Sequence, residues 1–167
     1  MPNNPQVIIQ GRYQVVPRTI IFIIRDELVL LQKGAETKKI NPGYLNGLGG
    51  HLERSEDVLS GARRELAEEA DISCEDLQLA GTIMIDVEEN QGILLFVFTG
   101  EKITGEPHGS DEGPLQWVPV DRVDAYKVMD DIPELISQVL RFKKTGEVFF
   151  GKYLYASDGL RIATFHS

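Results

Sequence analysis

Gly50–Ile72 reads GHLERSEDVLSGARRELAEEADI: a loop carrying Glu56, then a stretch that crowds Arg64, Glu65, Glu68 and Glu69 into its last turns. At about 100° per residue the three glutamates fall within an arc of roughly 100°. With Val58 set at zero, Leu59, Ala62, Leu66 and Ala70 form an apolar stripe from about zero to 120°, and the glutamates run from about 280° through zero to 20°. The acidic arc therefore borders the core stripe and partly overlaps it. Like charges three and four residues apart repel, and carboxylates beside a core lose hydration. A hard cation that prefers oxygen ligands removes both penalties. A solvated helix face is the plainer alternative, with an Arg64–Glu68 pair one turn apart and Ser55 as N-cap ahead of Glu56 and Asp57.

The flanking residues favour the metal reading. Gly49-Gly50 precede Glu56, and the run Arg64-Glu65-Leu66-x-Glu68-Glu69 follows it. The whole segment resembles the Nudix box, G-x5-E-x7-R-E-U-x-E-E-x-G-U with U apolar, through Gly50, Glu56, Arg64, Glu65, Leu66, Glu68, Glu69 and Ile72. Asp71 stands where that pattern has glycine, at a helix end that favours left-handed backbone. Aspartate adopts that conformation at a cost of about 1 kcal/mol relative to glycine.

The resemblance implies a MutT-like Nudix hydrolase with an α+β fold, an α/β/α sandwich around a mixed central sheet. It implies Mg²⁺ or Mn²⁺ held by Glu65, Glu68 and Glu69, with a carbonyl of Gly49 or Gly50 as a further ligand. Either Glu69 or Glu65 stands closest to the attacking water, and which acts as base stays open. Arg64 orients the carboxylates, with Glu56 as its salt-bridge partner. The general reason for metals is that phosphoryl transfer spreads charge over several oxygens, which cations neutralise while acidifying a bound water.

Outside the box, Asn46-Gly47-Leu48-Gly49-Gly50, Ser110-Asp111-Glu112, Trp117 and Asp130-Asp131 occur in that order. This layout is similar to the oxidised-purine nucleoside triphosphatase branch of the family. By that likeness Asn46, Asp130 and Asp131 bind the substrate's base, and Glu112 is a fourth metal ligand or general base. The plainer readings are a turn at Asn46-Gly47 and an acidic helix N-terminus at Asp130-Asp131. Where that branch has a stacking tryptophan, Val128-Met129 stand here, so stacking passes to Phe22, Tyr44 or another ring. The implied reaction converts a nucleoside triphosphate, with oxidised purines as candidates, to monophosphate and pyrophosphate. ADP-ribose, dinucleoside polyphosphates and nucleotide sugars are the alternative substrates, and a non-catalytic nucleotide sensor is the alternative class.

A chain of 167 residues, 42% hydrophobic, is long enough for one domain with a full core, and no Pro- or Gly-rich linker divides it, so one Nudix domain over 1–167 is expected. Cys74 is the single cysteine, which leaves no internal disulfide and suits a reducing compartment. The opening MPNNPQVIIQGRYQ lacks the basic and apolar regions of a signal peptide, so a soluble cytoplasmic protein is expected. A net charge of −9 argues against a nucleic-acid polymer as partner but not against a small nucleotide met through bound cations. No membrane partner is expected, and a homodimer, common in the family, stays open.

Strands are expected at Val15 to Ile24 and Leu28 to Gln32, around the turn Arg25-Asp26-Glu27, and at Leu77 to Val87 and Gly92 to Gly100. Lys33 to Gly47 and Glu101 to Pro114 read as loops, and Leu115 to Val118 as a short strand. Ile132 to Lys144 has helical spacing with Pro133 in its first turn. Two more strands, Val148 to Tyr155 and Leu160 to Phe165, flank Ser157-Asp158-Gly159.

Overall fold

The computed structural model describes residues 9–37 and 41–167. Residues 1–8 of the opening stretch MPNNPQVIIQGRYQ, and the part of the expected loop at 38–40, lie outside that range. In chain order the elements are β1 (Gln14–Arg25), β2 (Leu28–Lys33), β3 (Leu45–Asn46), α1 (Val58–Ala70), β4 (Ser73–Cys74), β5 (Gln78–Glu88), β6 (Gln91–Gly100), β7 (Ile103–Thr104), β8 (Leu115–Pro119), a 3₁₀ segment (Val120–Ala125), α2 (Ile132–Thr145), β9 (Phe149–Tyr155) and β10 (Arg161–His166).

The main sheet runs β10-β9-β5-β6-β1-β2-β3, with β8 also paired to β2. It is mixed: β1 runs parallel to β6 and β5 parallel to β9, while β1–β2, β5–β6 and β9–β10 are antiparallel. The apolar run Ile20–Ile24 explains why β1 is central. Alternate side chains of a strand leave opposite faces, and a strand covered on both faces reads as continuously apolar. Ile20, Phe22 and Ile24 enter one core with Ile132, Leu135, Ile136 and Val139 of α2. Ile21 and Ile23 enter the other with Ala62, Leu66 and Ala70 of α1. Helices thus cover both faces of a mixed sheet, the α/β/α sandwich of the expected α+β class. Cys74 is buried in the α1-side core, and burial followed by the nearby Asp76 pushes its thiol up to about 12. Among the described residues no helix is long and apolar enough to cross a membrane.

Four short elements escape a sequence reading: β3, β4, β7 and the 3₁₀ segment. β3 lies inside the expected Lys33–Gly47 loop and sets Asn46 opposite Gln32. β7 lies inside the expected Glu101–Pro114 loop and pairs with β4. Two residues are too few to display an alternating pattern, and the 3₁₀ segment has no periodic signature either. The N-cap of α1 is Asp57, not Ser55: Asp57 Oδ1 accepts from the amides of Leu59 and Ser60, each at 2.9 Å. Ser55 has a φ of 73°, in the turn before the helix.

Candidate active site

The Gly49-Gly50 loop runs antiparallel along β1, with Leu48 opposite Ile21 and His51 opposite Arg18. The Gly50 carbonyl accepts the Thr19 amide at 2.8 Å, and the Gly49 amide donates to Glu69 Oε2 at 2.8 Å. Gly49 has a φ of 128°, and a Cβ there would sit 2.3 Å from the Thr19 carbonyl oxygen. A Cβ on Gly50 would lie 2.6 Å from Glu65 Oε1. Both glycines are therefore required by close approach, one to backbone and one to a carboxylate.

The three glutamates divide as their helix angles dictate. Glu65 and Glu69, near the edge of the apolar stripe, are buried, whereas Glu68 leaves its side chain 59% exposed. Arg64 gathers the cluster. Its Nε donates to Glu56 Oε1 at 2.7 Å and its Nη2 to Glu56 Oε2 at 3.1 Å. Nη1 reaches Glu65 Oε1 and Glu68 Oε2, each at 3.0 Å, and Nη2 also reaches the His51 carbonyl. The fork geometry of guanidinium allows one side chain to serve three carboxylates. The Arg64 hydrogen bond and the Glu53 amide hold the Glu56 carboxyl below the usual range. The Arg64–Glu68 pair of the solvated-face reading is thus present, together with contacts that reading does not explain.

Among the described residues no three His, Cys, Asp or Glu side chains converge closely enough to hold a metal ion as they stand. The donor set nevertheless fits a hard cation. Glu65 and Glu69 are buried carboxylates pressed against a glycine backbone, a set of oxygen donors of the kind a hard cation prefers.

The cluster lines a cleft of about 580 Å³, in which Gly49, Gly50, Arg64, Glu65, Glu69 and Glu112 occur with Asn46 and Met129. A second cavity of about 160 Å³ shares Arg18, Asn46, Gly47, Gly49 and Met129 with it and adds Asp131 and the apolar Ile85, Ile93 and Leu95. Asn46 accepts the Gly47 amide through Oδ1 at 2.8 Å, so it shapes its turn and also lines both cavities.

Asp130 and Asp131 do not act alike. Asp131 occupies the N-cap position of α2 but makes no capping hydrogen bond, and it lines the smaller cavity. Burial, then the charge of Asp130, pushes its carboxyl above the ordinary range. Asp130 turns outward to Arg161, Nε to Oδ2 at 3.1 Å. Phe22 is fully buried in the core and offers no stacking face, while Tyr44 lines the cleft with the Lys127 ammonium 4.6 Å from its ring. Trp117 packs on the α1-side core under Arg25 and is not among the residues lining the cleft.

Arg18 and Gln32 were missed by sequence reasoning. Arg18 lines both cavities, and Gln32, though buried, lines the larger one with its Nε2 unpartnered. A signal existed for each: one arginine at the head of the apolar run of β1, and one amide at the end of the apolar run of β2.

A family profile, the NUDIX domain, matches residues 15–139. The oxidized purine nucleoside triphosphate hydrolase of Danio rerio is 30% identical over 106 residues, covering 63% of this chain and 67% of that protein. The Mus musculus protein of the same name is 27% identical over 127 residues, covering 75% and 80%. Among solved structures, a MutT protein from Bacillus halodurans superposes with a TM-score of 0.75 at 22% identity, covering 91% of this chain and 97% of that one. The MutT protein from Methanosarcina mazei Go1 gives a TM-score of 0.66 at 19% identity, covering 83% and 100%. Taken with the box on α1 and the Gly49-Gly50 cradle against it, these likenesses show that the chain belongs to the Nudix family, as a pyrophosphohydrolase with the fold of the family's MutT proteins.

Proposed function

We propose that this chain hydrolyses a nucleoside triphosphate, oxidised purines included, to the monophosphate and pyrophosphate with Mg²⁺ or Mn²⁺. The observation that carries the reading is the continuity of the two cavities. Carboxylates on α1 line the larger cavity, Asn46 and Met129 line both, and Asp131 lines the smaller one with the apolar Ile85, Ile93 and Leu95. A nucleotide has that polarity, with anionic phosphates at one end and a flat, partly apolar base at the other. The relatives named above, whose names specify oxidized purine nucleoside triphosphates, support the same substrate class.

Glu65, Glu69 and a glycine carbonyl of the loop would hold the cation, with Glu68 and Glu112 as further oxygen donors. Once bound, the cation would neutralise phosphate charge and acidify a water. The protein's own groups do the rest. Arg64 keeps Glu56, Glu65 and Glu68 in a fixed relation, and the Gly49 amide holds one oxygen of Glu69 and so fixes that carboxylate against the loop. Arg18, shared by both cavities, supplies positive charge between phosphates and base. Asn46 and Asp131 present polar groups to the base edge, and Met129, Ile85 and Leu95 cover its face.

The deciding experiment is a Mg²⁺-dependent phosphate-release screen over canonical and oxidised nucleoside triphosphates, ADP-ribose, dinucleoside polyphosphates and nucleotide sugars. Preferred turnover of a purine triphosphate with pyrophosphate as co-product is expected. Preference for ADP-ribose or a nucleotide sugar overturns the substrate class. A blank screen with a tightly bound nucleotide overturns catalysis in favour of a sensor.

A further inference from the structure

We propose that Arg161, on β10, is a positioning residue for ligand selection: it ties Asp130 into an ion pair within the protein and so leaves Asp131 as the carboxyl presented to the bound base. The inference rests on the base-pocket reading above and deepens it by giving two adjacent carboxylates different roles.

Three polar contacts fix the guanidinium. Nε meets Asp130 Oδ2 at 3.1 Å, Nη2 meets the Asp130 carbonyl at 3.1 Å, and Nη1 meets Glu134 Oε2 at 3.0 Å. Its Cζ stands 4.6 Å from the Tyr153 ring centroid. The Arg161 side chain is only 12% exposed, whereas that of Asp130 is 71% exposed. A cation so nearly buried must keep its counter-charges. Contact with both side chain and backbone of Asp130 also sets the direction in which the chain enters α2, and hence the direction of the next residue. Asp131 is left without a capping bond and lines the cavity with Arg18, Asn46 and Met129. The hairpin that carries Arg161 lies beyond the segment matched by the family profile.

The charges facing Asp131 make the assignment testable. They are Asp130 and Glu134 at the head of α2, Tyr153 and Tyr155 on β9, Arg161 on β10 and Arg18 across the cavity. Burial and then Asp130 raise the Asp131 carboxyl, and Arg161 lowers it. Removing Arg161 must therefore move that titration up, and removing the charge of Asp130 must move it down.

The test is calorimetric binding of dGMP, 8-oxo-dGMP and dAMP to the full chain at a series of pH values, with 2-deoxyribose 5-phosphate as a ligand lacking the base. Arg161→Met is expected to weaken the best-bound nucleotide on the order of tenfold without weakening the sugar phosphate equally, and to shift the pH midpoint of nucleotide binding upward. Asp130→Asn should shift the midpoint downward. Arg161→Lys, which keeps the charge, should leave the midpoint near that of the parent chain. Equal loss on nucleotide and sugar phosphate, or unmoved midpoints in both charge-removing variants, overturns the role of Arg161. If Arg161→Met does not fold, the Asp130→Asn and Arg161→Lys midpoints decide alone. Wild-type nucleotide affinity in Asp131→Asn overturns the base-pocket reading instead, whatever Arg161 does.

Discussion

Arg64 and Glu69 reach the same end of α1 by different means. Arg64 is exposed enough to remain solvated but spends its donors on Glu56, Glu65, Glu68 and the His51 carbonyl. Lysine offers one ammonium where guanidinium offers a planar fork. Arg64→Lys is therefore expected to lower kcat on the order of a hundredfold while the circular dichroism spectrum stays that of the parent. Glu69→Gln keeps the shape and an oxygen for the Gly49 amide but loses the charge. Its Mg²⁺-dependent turnover should fall by about a hundredfold or more, and Mn²⁺ binding followed by electron paramagnetic resonance should weaken in parallel. Normal Mn²⁺ binding in that variant would contradict the ligand role. The Glu56–Arg64 pair also has a pH signature. Glu56 titrates below its ordinary value, so its contribution to stability is complete above the usual glutamate range and is lost as pH falls through the lowered value.

Helix α1 shows how much of an element local residues specify. Its apolar stripe was legible because Ala62, Leu66 and Ala70 recur at helical spacing, and the buried positions follow that stripe. The same spacing separates Glu65 and Glu69 from Glu68, which a list of box residues treats as equivalents. The N-terminus was not read correctly. Ser55 and Asp57 are both plausible caps by residue type, and the choice fell to Asp57 because it has the extended backbone a cap takes, φ −85° and ψ 164°, whereas Ser55 has a φ of 73°. Asp57→Ala should cost about 1 kcal/mol of unfolding free energy. The C-terminus matches the departure seen in the sequence: Asp71 has φ 55° and ψ 36°, and its amide bonds back to the Ala67 carbonyl. Asp71→Gly should stabilise the protein by up to about 1 kcal/mol, read as a shift of the urea midpoint at unchanged slope.

Across the molecule, the site is an assembly of distant segments: β1 supplies Arg18, β3 Asn46, the glycine loop its backbone, α1 the carboxylates, and the start of α2 Asp131. Holding Asp131 beside that cavity works against stability. Its carboxyl titrates above the ordinary range, so the folded state binds its proton more tightly than the unfolded state does. Stability is therefore lost as pH rises from the ordinary aspartate range through the raised value, and stays lost at neutral pH. Asp131→Asn should raise the melting temperature at neutral pH, and the gain should vanish in acid below the usual aspartate range. The same variant should bind purine nucleotides more weakly, a trade of function for stability.

Chemistry that lies within one helical repeat could be read from the chain, because backbone geometry alone sets the spacing of side chains along a helix or strand. That covers the box, the apolar stripe and the long strands. The two-residue strands, the different fates of Asp130 and Asp131, the burial of Phe22 and the entry of Arg18, Gln32 and Arg161 were not legible. Each depends on a partner far away in sequence: Gln32 for β3, the β9–β10 hairpin for Asp130, α2 for Phe22. Such pairings leave no periodic trace, since they are fixed by which surfaces pack against one another and not by any property of the residues between them.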